Sequence, residues 1–409
     1  MLPKIRLFCD ISPGSGHNNA TRGLVQALKT LGYDPTTLKV VGAVSCSLDY
    51  QSSQEYDWLR QFVYSSWPEQ EQINLVHLNP CLCSEFWTAG RLNIAYCAWE
   101  TDALPKAVHD ICYGADRGTA AYALNKFDQV WVPTAFLVGV FKSSGVTVPI
   151  HVVPHALQPE LLERPISPLG GPPVGFYTVG SWNARKDLEG LFRAYLQSGW
   201  VVDSPVKLDM HAVPHSRDPQ SVAGHQIVAH EAVKGLCAAS ARMPCFGLFT
   251  TPKSYEHILD FHEQHQVFVT LSHGEGFGLG MLEALALGRV AIGGGPWVDD
   301  LQERLEGAAS RDALDFVLRS LPYEIVPITP MPDVSGYELD QNWWNVDRKD
   351  LIAAMKLAYD DVVQGVDTAE VAAAVRKVFS PSAVAEVIKP LLEFDWTDHY
   401  DAGKARWEP

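Results

Sequence analysis

Short apolar runs alternate with amphipathic stretches along most of the chain. Continuous apolar runs bounded by turn formers predict strands buried on both faces, and apolar positions three and four apart predict helices. On that basis 5–9, 73–78, 94–98, 129–132 and 150–153 read as strands. Residues 19–31 read as a helix, with Leu24, Ala27, Leu28 and Leu31 on one face and Gly32 closing it. Residues 105–113 and 134–144 read as further helices. Residues 157–173 break the pattern with Pro159, Pro165, Pro168, Pro172, Pro173 and Gly170-Gly171, a linker composition. The alternation then restarts: strands at 174–179, 206–211, 267–271 and 290–292, and helices at 188–196, 254–265, 278–287, 348–359 and 368–378. Two consecutive Rossmann-like α/β units are the reading, spanning 1–156 and 172–381. The tail 382–409, with Trp396, Tyr400 and Trp407, is expected to return to the first unit. In such sheets ligands bind beyond the carboxyl ends of the strands, so a cleft between the units is the expected site.

Composition fits this picture. At 409 residues the chain is long enough for two or three domains, and 47% hydrophobic with 20% charged residues is an ordinary globular mix. No apolar run approaches the ~20 residues that span a bilayer, and the start reads as a first strand, not a signal peptide. A cytoplasmic protein is expected. The net charge of −16 argues against a general nucleic-acid or anionic-membrane binder. Its distribution tempers that: residues 1–156 hold 11 basic against 13 acidic residues, the rest 21 against 35. The eight cysteines form no C-x-x-C pair and read as reduced, mostly buried small hydrophobes.

Candidate chemistry concentrates at 272–288, Ser-His-Gly-Glu-Gly-Phe-Gly-Leu-Gly-Met-Leu-Glu-Ala-Leu-Ala-Leu-Gly. Gly274, Gly276, Gly278 and Gly280 stand at every second position between a strand and a helix. Such glycines let backbone approach a ligand, and a helix amino terminus favours an anion. Glu275 and Glu283 can both face one ligand and accept hydrogen bonds from sugar or ribose hydroxyls. The plainer alternative is a Gly-rich turn followed by a solvent-facing Glu. Upstream, Arg185-Lys186 stand at the start of helix 188–196, where basic residues oppose the dipole and a bound anion would relieve them; a solvated helix start is the alternative. Ser12-Pro-Gly-Ser-Gly16-His17-Asn-Asn19 contains G-x-G but lacks the third glycine of a dinucleotide fingerprint. His211, His215, His225 and His230 show no metal-ligand spacing and read as surface or core residues.

The segment 275–283, E-G-F-G-L-G-M-L-E, resembles the E-x7-E signature of the retaining family 4 glycosyltransferases, departing at Gly280, where that family usually has Pro. Residues 179–187, Val-Gly-Ser-Trp-Asn-Ala-Arg-Lys-Asp, are similar to the segment whose basic residues grip the donor diphosphate. Lys186 matches the usual Lys, Ser181 stands where an Arg is often found, and Arg185 is the available substitute. Residues 127–155 are similar to the strand–helix–strand that closes the first domain. Trp99-Glu100 with Pro105 is similar to a W-E…P segment found in a subset of these enzymes.

The resemblance implies the GT-B fold: two Rossmann-like domains facing each other across a cleft, with the C-terminal tail packing back on the N-terminal domain. It implies a metal-independent, retaining transfer of a sugar from a nucleotide-diphosphate sugar to an acceptor hydroxyl, with no cofactor. No D-x-D, the motif that holds a metal in single-Rossmann transferases, occurs anywhere in the chain. By the same resemblance Glu275 holds donor-sugar hydroxyls and Glu283 the ribose. Lys186, Arg185, Ser181 and the backbone of Gly276, Phe277, Gly278 and Leu279 meet the diphosphate, and Gly16 lies near the donor phosphates. Glu100 and His17 face the acceptor, with an N-capping role for Glu100 as the alternative. The acceptor is open among glycan, lipid, small molecule and nucleic acid; Trp58, Trp67, Trp87 and Trp99 are either core or base-stacking residues. A nucleotide-sugar epimerase, a transferase acting on a modified nucleic-acid base and a non-catalytic sugar-nucleotide-binding protein are the alternative functions.

Overall fold

The computed structural model describes residues 2–10, 15–42, 72–106, 118–201, 203–212, 219–240, 244–329 and 337–393. The chain divides into two units. The first holds residues 1–99, 103–158 and 379–409; the second holds 100–102 and 159–378.

The first unit is built on six parallel strands: β1 (Ile5–Cys9), β2 (Leu38–Gly42), β3 (Ile73–His77), β4 (Leu92–Tyr96), β5 (Gln129–Val132) and β6 (Ile150–Val152). Their order is β2-β1-β3-β4-β5-β6. The chain leaves β1 for one side of the sheet and then returns to build the other, so a topological switch point lies between β1 and β3. Every residue of β1, β3, β4 and β5 is buried, as expected of a parallel sheet covered on both faces. The helix Gly16–Thr30 lays Leu24, Val25, Ala27 and Leu28 on this sheet. It starts three residues before the predicted 19, because the Ser15 side chain accepts from Asn18 N (3.0 Å) and caps it. Gly16 and His17, read from sequence as loop residues, are therefore its first two helical residues.

The tail does return to this unit. Helix Pro381–Leu392 inserts Val384, Ala385, Ile388 and Leu392 into the first core. Gln129 Nε2 also donates to Leu391 O (3.1 Å). Trp396, Tyr400 and Trp407, like most of the predicted helix 105–113, lie outside the described residues.

The second unit is also built on six parallel strands, with two rather than one beyond its first strand: β7 (Val174–Gly180), β8 (Val206–Ala212), β9 (Cys245–Phe249), β10 (Val267–Val269), β11 (Val290–Gly293) and β12 (Leu318–Ser320), in the order β12-β11-β10-β7-β8-β9. Its switch point lies between β7 and β10. The stretch 211–247, unassigned from sequence, contains the 21-residue helix Pro219–Ala239 and most of β9. An antiparallel pair, β13 (Tyr323–Pro327) with β14 (Asn342–Val346), was also not predicted.

Two placements correct the sequence reading. Glu100–Asp102, assigned to the first unit, belong with the second. Gly274 is the reason: a Cβ there would lie 1.9 Å from Glu100 O, so only glycine admits that backbone. Asp102 completes the attachment by accepting from Asn342 N (2.7 Å) and Asn342 Nδ2 (2.8 Å). Trp99 is buried, its Nε1 donating to Ala103 O (2.8 Å), so it is a core residue and not a stacking platform.

Candidate functional site

The carboxyl end of β7 leads into 181–187, and that of β10 into 272–278, so both segments meet at the switch point of the second unit. The first is a compact turn. Asn183 Oδ1 accepts from Lys186 N (2.9 Å), Asn183 O accepts from Asp187 N (3.2 Å), and Asp187 adopts a left-handed φ of 42°. Aspartate tolerates this conformation because its short polar side chain bonds locally. Here it accepts from Gly190 N (2.9 Å) and caps helix Leu188–Gln197. A Cβ at Gly190 would lie 2.0 Å from Asp187 Oδ2, so the cap needs that glycine. The helix thus begins at Leu188 behind an acidic cap. The helix starts at the residue the sequence predicts, and Arg185-Lys186 stand ahead of its cap, not in its first turn.

What holds the two cations is the facing loop. Lys186 Nζ is hydrogen-bonded to Glu275 Oε1, and Arg185 Nη1 lies 3.4 Å from Glu275 Oε2 and donates to Gly274 O. Arg185 Nη2 lies 3.9 Å from Glu100 Oε1, and Tyr337 OH donates to Glu100 Oε2 (3.2 Å). Two cations thus face two carboxylates in a largely water-excluded cluster. Burial alone would raise the Glu275 pKa, but Lys186 and Arg185 outweigh it and hold that carboxyl at about 2. Burial lowers the Lys186 pKa despite the pull of Glu275. The Arg185 pKa is raised against its own burial by Tyr337, Glu100 and Glu275. Tyr337 is pushed up by burial and then by Glu100.

His273 ties the two segments together. Its N–H donates to Arg185 O (2.7 Å), its Nδ1 lies 3.0 Å from Trp344 O, and its ring stacks on Trp343 at 4.8 Å. Its Nε2 is 3.9 Å from Asp187 Oδ2. A cavity of about 690 Å³ borders the same turn, lined in part by Trp182, Asp187, His273, Asn345 and Arg348.

The glycines divide by role. Gly274 admits Glu100. Gly278 has φ 83° and precedes helix Leu279–Ala286, whose N-terminus has no side-chain cap hydrogen bond and no acidic residue in its first turn. Such an end retains backbone N–H donors for an anion. Ser181 and Phe277 are buried beside this end of the sheet.

Glu283 has partners of its own, apart from the ion cluster. It is buried on the helix and accepts from Tyr255 OH (3.0 Å); His262 Nε2 lies 3.7 Å from its other oxygen, and His262 Nδ1 lies 2.7 Å from Tyr177 OH. The solvent-facing alternative does not describe it. Glu100 is a member of the ion cluster, and the helix it was alternatively read as capping lies mostly outside the described residues. His211 is buried, His230 is exposed, and His215 lies outside the described residues.

In the first unit, His17 is only partly buried and its ring lies 5.9 Å from that of His77. His77 ends β3, stacks on Tyr96 at 4.6 Å, and its Nδ1 lies 2.9 Å from Thr21 Oγ1. His155 Nδ1 lies 2.7 Å from Tyr96 OH. Sequence reasoning missed His77, Tyr96, Tyr255, His273 and Tyr337. A histidine ending a buried strand was the available sign for His77, and the position of His273 inside the glycine stretch was the sign for that residue.

No family model and no curated protein matches this chain. Solved structures do. A sucrose-phosphate synthase from Thermosynechococcus elongatus superposes with a TM-score of 0.60 at 14% identity, covering 98% of this chain and 100% of its own. A trehalose-6-phosphate synthase, OtsA, gives 0.59 at 12%, covering 96% and 99%. Anabaena HepE in complex with UDP gives 0.59 at 10%, covering 95% and 99%. The fold is therefore the two-Rossmann-domain GT-B fold over nearly the whole chain.

Proposed function

We propose that this chain is a retaining glycosyltransferase that moves a sugar from a nucleotide-diphosphate sugar to an acceptor hydroxyl, with no cofactor and no metal. The observation that carries the reading is the Arg185–Lys186–Glu275 cluster at the β7/β10 switch point, beside the uncapped start of helix Leu279–Ala286. The resemblance of residues 275–283 supports it, as do the neighbours' ligands: UDP on HepE, and UDP-2-fluoro glucose on the trehalose-6-phosphate synthase from E. coli.

In the reaction the bond between the anomeric carbon and the departing diphosphate oxygen breaks, and negative charge grows on the leaving group. Without ligand, Lys186 and Arg185 are balanced by Glu275 and Glu100. A diphosphate brings further negative charge, and Lys186, on its flexible stem, turns toward it while Arg185 stays anchored on Gly274 O. Glu275 then uses its free lone pairs for donor-sugar hydroxyls. The two cations and the helix N-terminus supply the positive charge that a metal supplies in other transferases. Glu283 receives the ribose, with the Tyr255 hydroxyl as neighbour or competitor. Glu100, held by Tyr337, is the acidic group on the acceptor side.

The test is to incubate the protein with UDP-, GDP-, ADP- and TDP-glucose with and without EDTA, following nucleoside diphosphate release and the product's anomeric configuration by NMR. Release from one donor that survives EDTA, with the anomeric configuration retained, is expected. Loss of release in EDTA overturns the metal-free clause. An isomerised nucleotide sugar makes the chain an epimerase, and absence of any binding removes the donor site.

A further inference from the structure

The turn 181–187 has two sides, and only one of them belongs to the ion cluster. Arg185 and Lys186 reach Glu275 on that side. On the other, Trp182 and Asp187 line the cavity of about 690 Å³, with His273, Arg193 and Arg348 around it. Ser181, Arg185, Lys186, Glu275 and Glu283 do not line it, so it is separate from the side chains assigned to the donor. Its volume falls within the range of small-molecule sites.

The lining contains a mismatch that a hydrogen-bond donor resolves. His273 Nδ1 lies 3.0 Å from Trp344 O, and a carbonyl only accepts, so Nδ1 carries the ring proton. A neutral imidazole then presents a lone pair at Nε2, and Asp187 Oδ2 stands 3.9 Å from it. The other oxygen of Asp187 is already taken by Gly190 N (2.9 Å). Two acceptors thus face each other, too far apart for a direct hydrogen bond. A hydroxyl placed beside them can donate to either.

The charges around the cavity select against an ionic ligand. The guanidiniums of Arg193 and Arg348 stand against the carboxylates of Asp187, Glu189 and Asp347. Arg193 is paired with Glu189 at 2.6 Å, and Arg348 acts on Asp187. Two helices, Leu188–Gln197 and Arg348–Gln364, start at this cavity, and both are capped by carboxylates. Asp187 accepts from Gly190 N, and Asp347 accepts from Lys349 N (2.7 Å). Neither end is open to an anion in the way an uncapped helix is. A free cation would compete with two guanidiniums for the same carboxylates. Trp182 packs partly on the core of the second unit and lines the cavity with the rest of its indole. A sugar ring matches this set. Its C–H face is apolar and lies against an aromatic ring, and the hydroxyls around its edge donate and accept at once.

We infer that this cavity of the second unit is a carbohydrate site, separate from the ion cluster, that holds an uncharged sugar through Trp182, Asp187, His273 and Arg348. The inference goes beyond the transferase reading and does not depend on it. The experiment uses the full chain with 15N-labelled histidine and follows the imidazole resonances of His273, assigned through a His273→Gln variant. Maltose, cellobiose, inorganic phosphate and ammonium chloride are titrated separately at constant pH and ionic strength. Saturable movement of the Nε2 signal with at least one disaccharide, and none with either ion, is the expected result. Movement with an ion in place of the disaccharides makes this an ion site and overturns the inference. Silence toward all four up to ~100 mM, an affinity too weak to count as recognition, also overturns it.

Two variants locate the sugar. Arg348 is exposed, and its side chain makes no hydrogen bond among the described residues. Arg348→Gln should therefore keep its melting temperature while disaccharide affinity falls at least about tenfold. Trp182→Leu should weaken binding to a similar extent, and Lys186→Ala should leave it unchanged. A response that survives Arg348→Gln and is lost in Lys186→Ala places the sugar in the ion cluster and overturns the inference. UDP, GDP, ADP and TDP binding is measured on the same samples. Disaccharide binding without any nucleotide binding sustains the carbohydrate site and defeats the transferase reading, whereas the reverse result does the opposite.

Discussion

The two switch points each lie beside the first strand of a six-stranded parallel sheet, although the strand orders differ, and they solve the burial of polar groups in opposite ways. At β7/β10 the groups are charged and answer one another: Lys186 and Arg185 with Glu275, Arg185 near Glu100, and Tyr337 on Glu100. At β1/β3 they are mostly amides and imidazoles, with the guanidinium of Arg22 buried one turn along the helix, and several amide and imidazole atoms answer nothing within the protein. The energetics account for the difference. An uncompensated buried charge is penalised by several kcal/mol, so a charged site must close on itself when empty. A neutral polar group left unmade costs about 1–3 kcal/mol, which water or a ligand relieves.

Four expected outcomes sharpen or break this contrast. The largest is in turnover: Lys186→Ala should lower kcat by about 10²–10³, the usual consequence of removing one group that stabilises developing charge, read as nucleoside diphosphate release. Turnover within threefold of wild type would place the leaving group elsewhere.

Next comes stability at the charged site. Glu275→Gln leaves two cations with diminished compensation and should destabilise the protein by about 2–3 kcal/mol at pH 7, measured by urea denaturation. The Glu275 carboxyl is depressed to about 2 from an ordinary 4.5. Its contribution is therefore fully present above about pH 4.5 and is lost as pH falls toward 2. The gap between wild type and variant should close over that window; a gap independent of pH would mean the ion pairs do not set it.

Third, each unit carries a glycine pressed onto a backbone oxygen. A Cβ at Gly274 would meet Glu100 O at 1.9 Å, and one at Gly23 would meet Ala156 O at 2.2 Å. Both alanine variants should lose about 1–3 kcal/mol by overpacking. Only Gly274→Ala should also weaken nucleotide binding, since only Gly274 O and Glu100 belong to the ion cluster.

The smallest effect is at Glu283. Tyr255→Phe removes one hydrogen bond and should change stability by about 1 kcal/mol. Calorimetric titration of nucleoside diphosphates would show a gain in affinity if the hydroxyl competes with ribose, and a loss if it supports Glu283.

Much of this was legible in the sequence, unevenly. Continuous apolar runs located β1, β3, β7, β8 and β11 to within a residue, because a doubly covered parallel strand leaves an unambiguous pattern. Helix starts were less legible: Ser15 moved the first helix three residues toward the N-terminus, since a cap depends on a single side chain. The short edge strand β2, the β13–β14 pair and helix Pro219–Ala239 escaped, the helix because its polar and apolar residues show little segregation by face. Arg185, Lys186 and Glu275 were each singled out as candidates, and the fold brings them into contact. Glu283 was grouped with Glu275 by spacing along the chain, but on the helix it turns to Tyr255 and His262. Tyr337 and Glu100 came to the cluster from positions 237 residues apart, and no local pattern encodes such a contact.

The most direct test of the central claim is calorimetric titration of UDP, GDP, ADP and TDP into wild type and Lys186→Ala, in EDTA. Wild type should bind one of them, and Lys186→Ala should bind it at least about tenfold more weakly while remaining folded. Equal affinity in the two proteins would mean that the charged switch point of the second unit is not where the diphosphate binds.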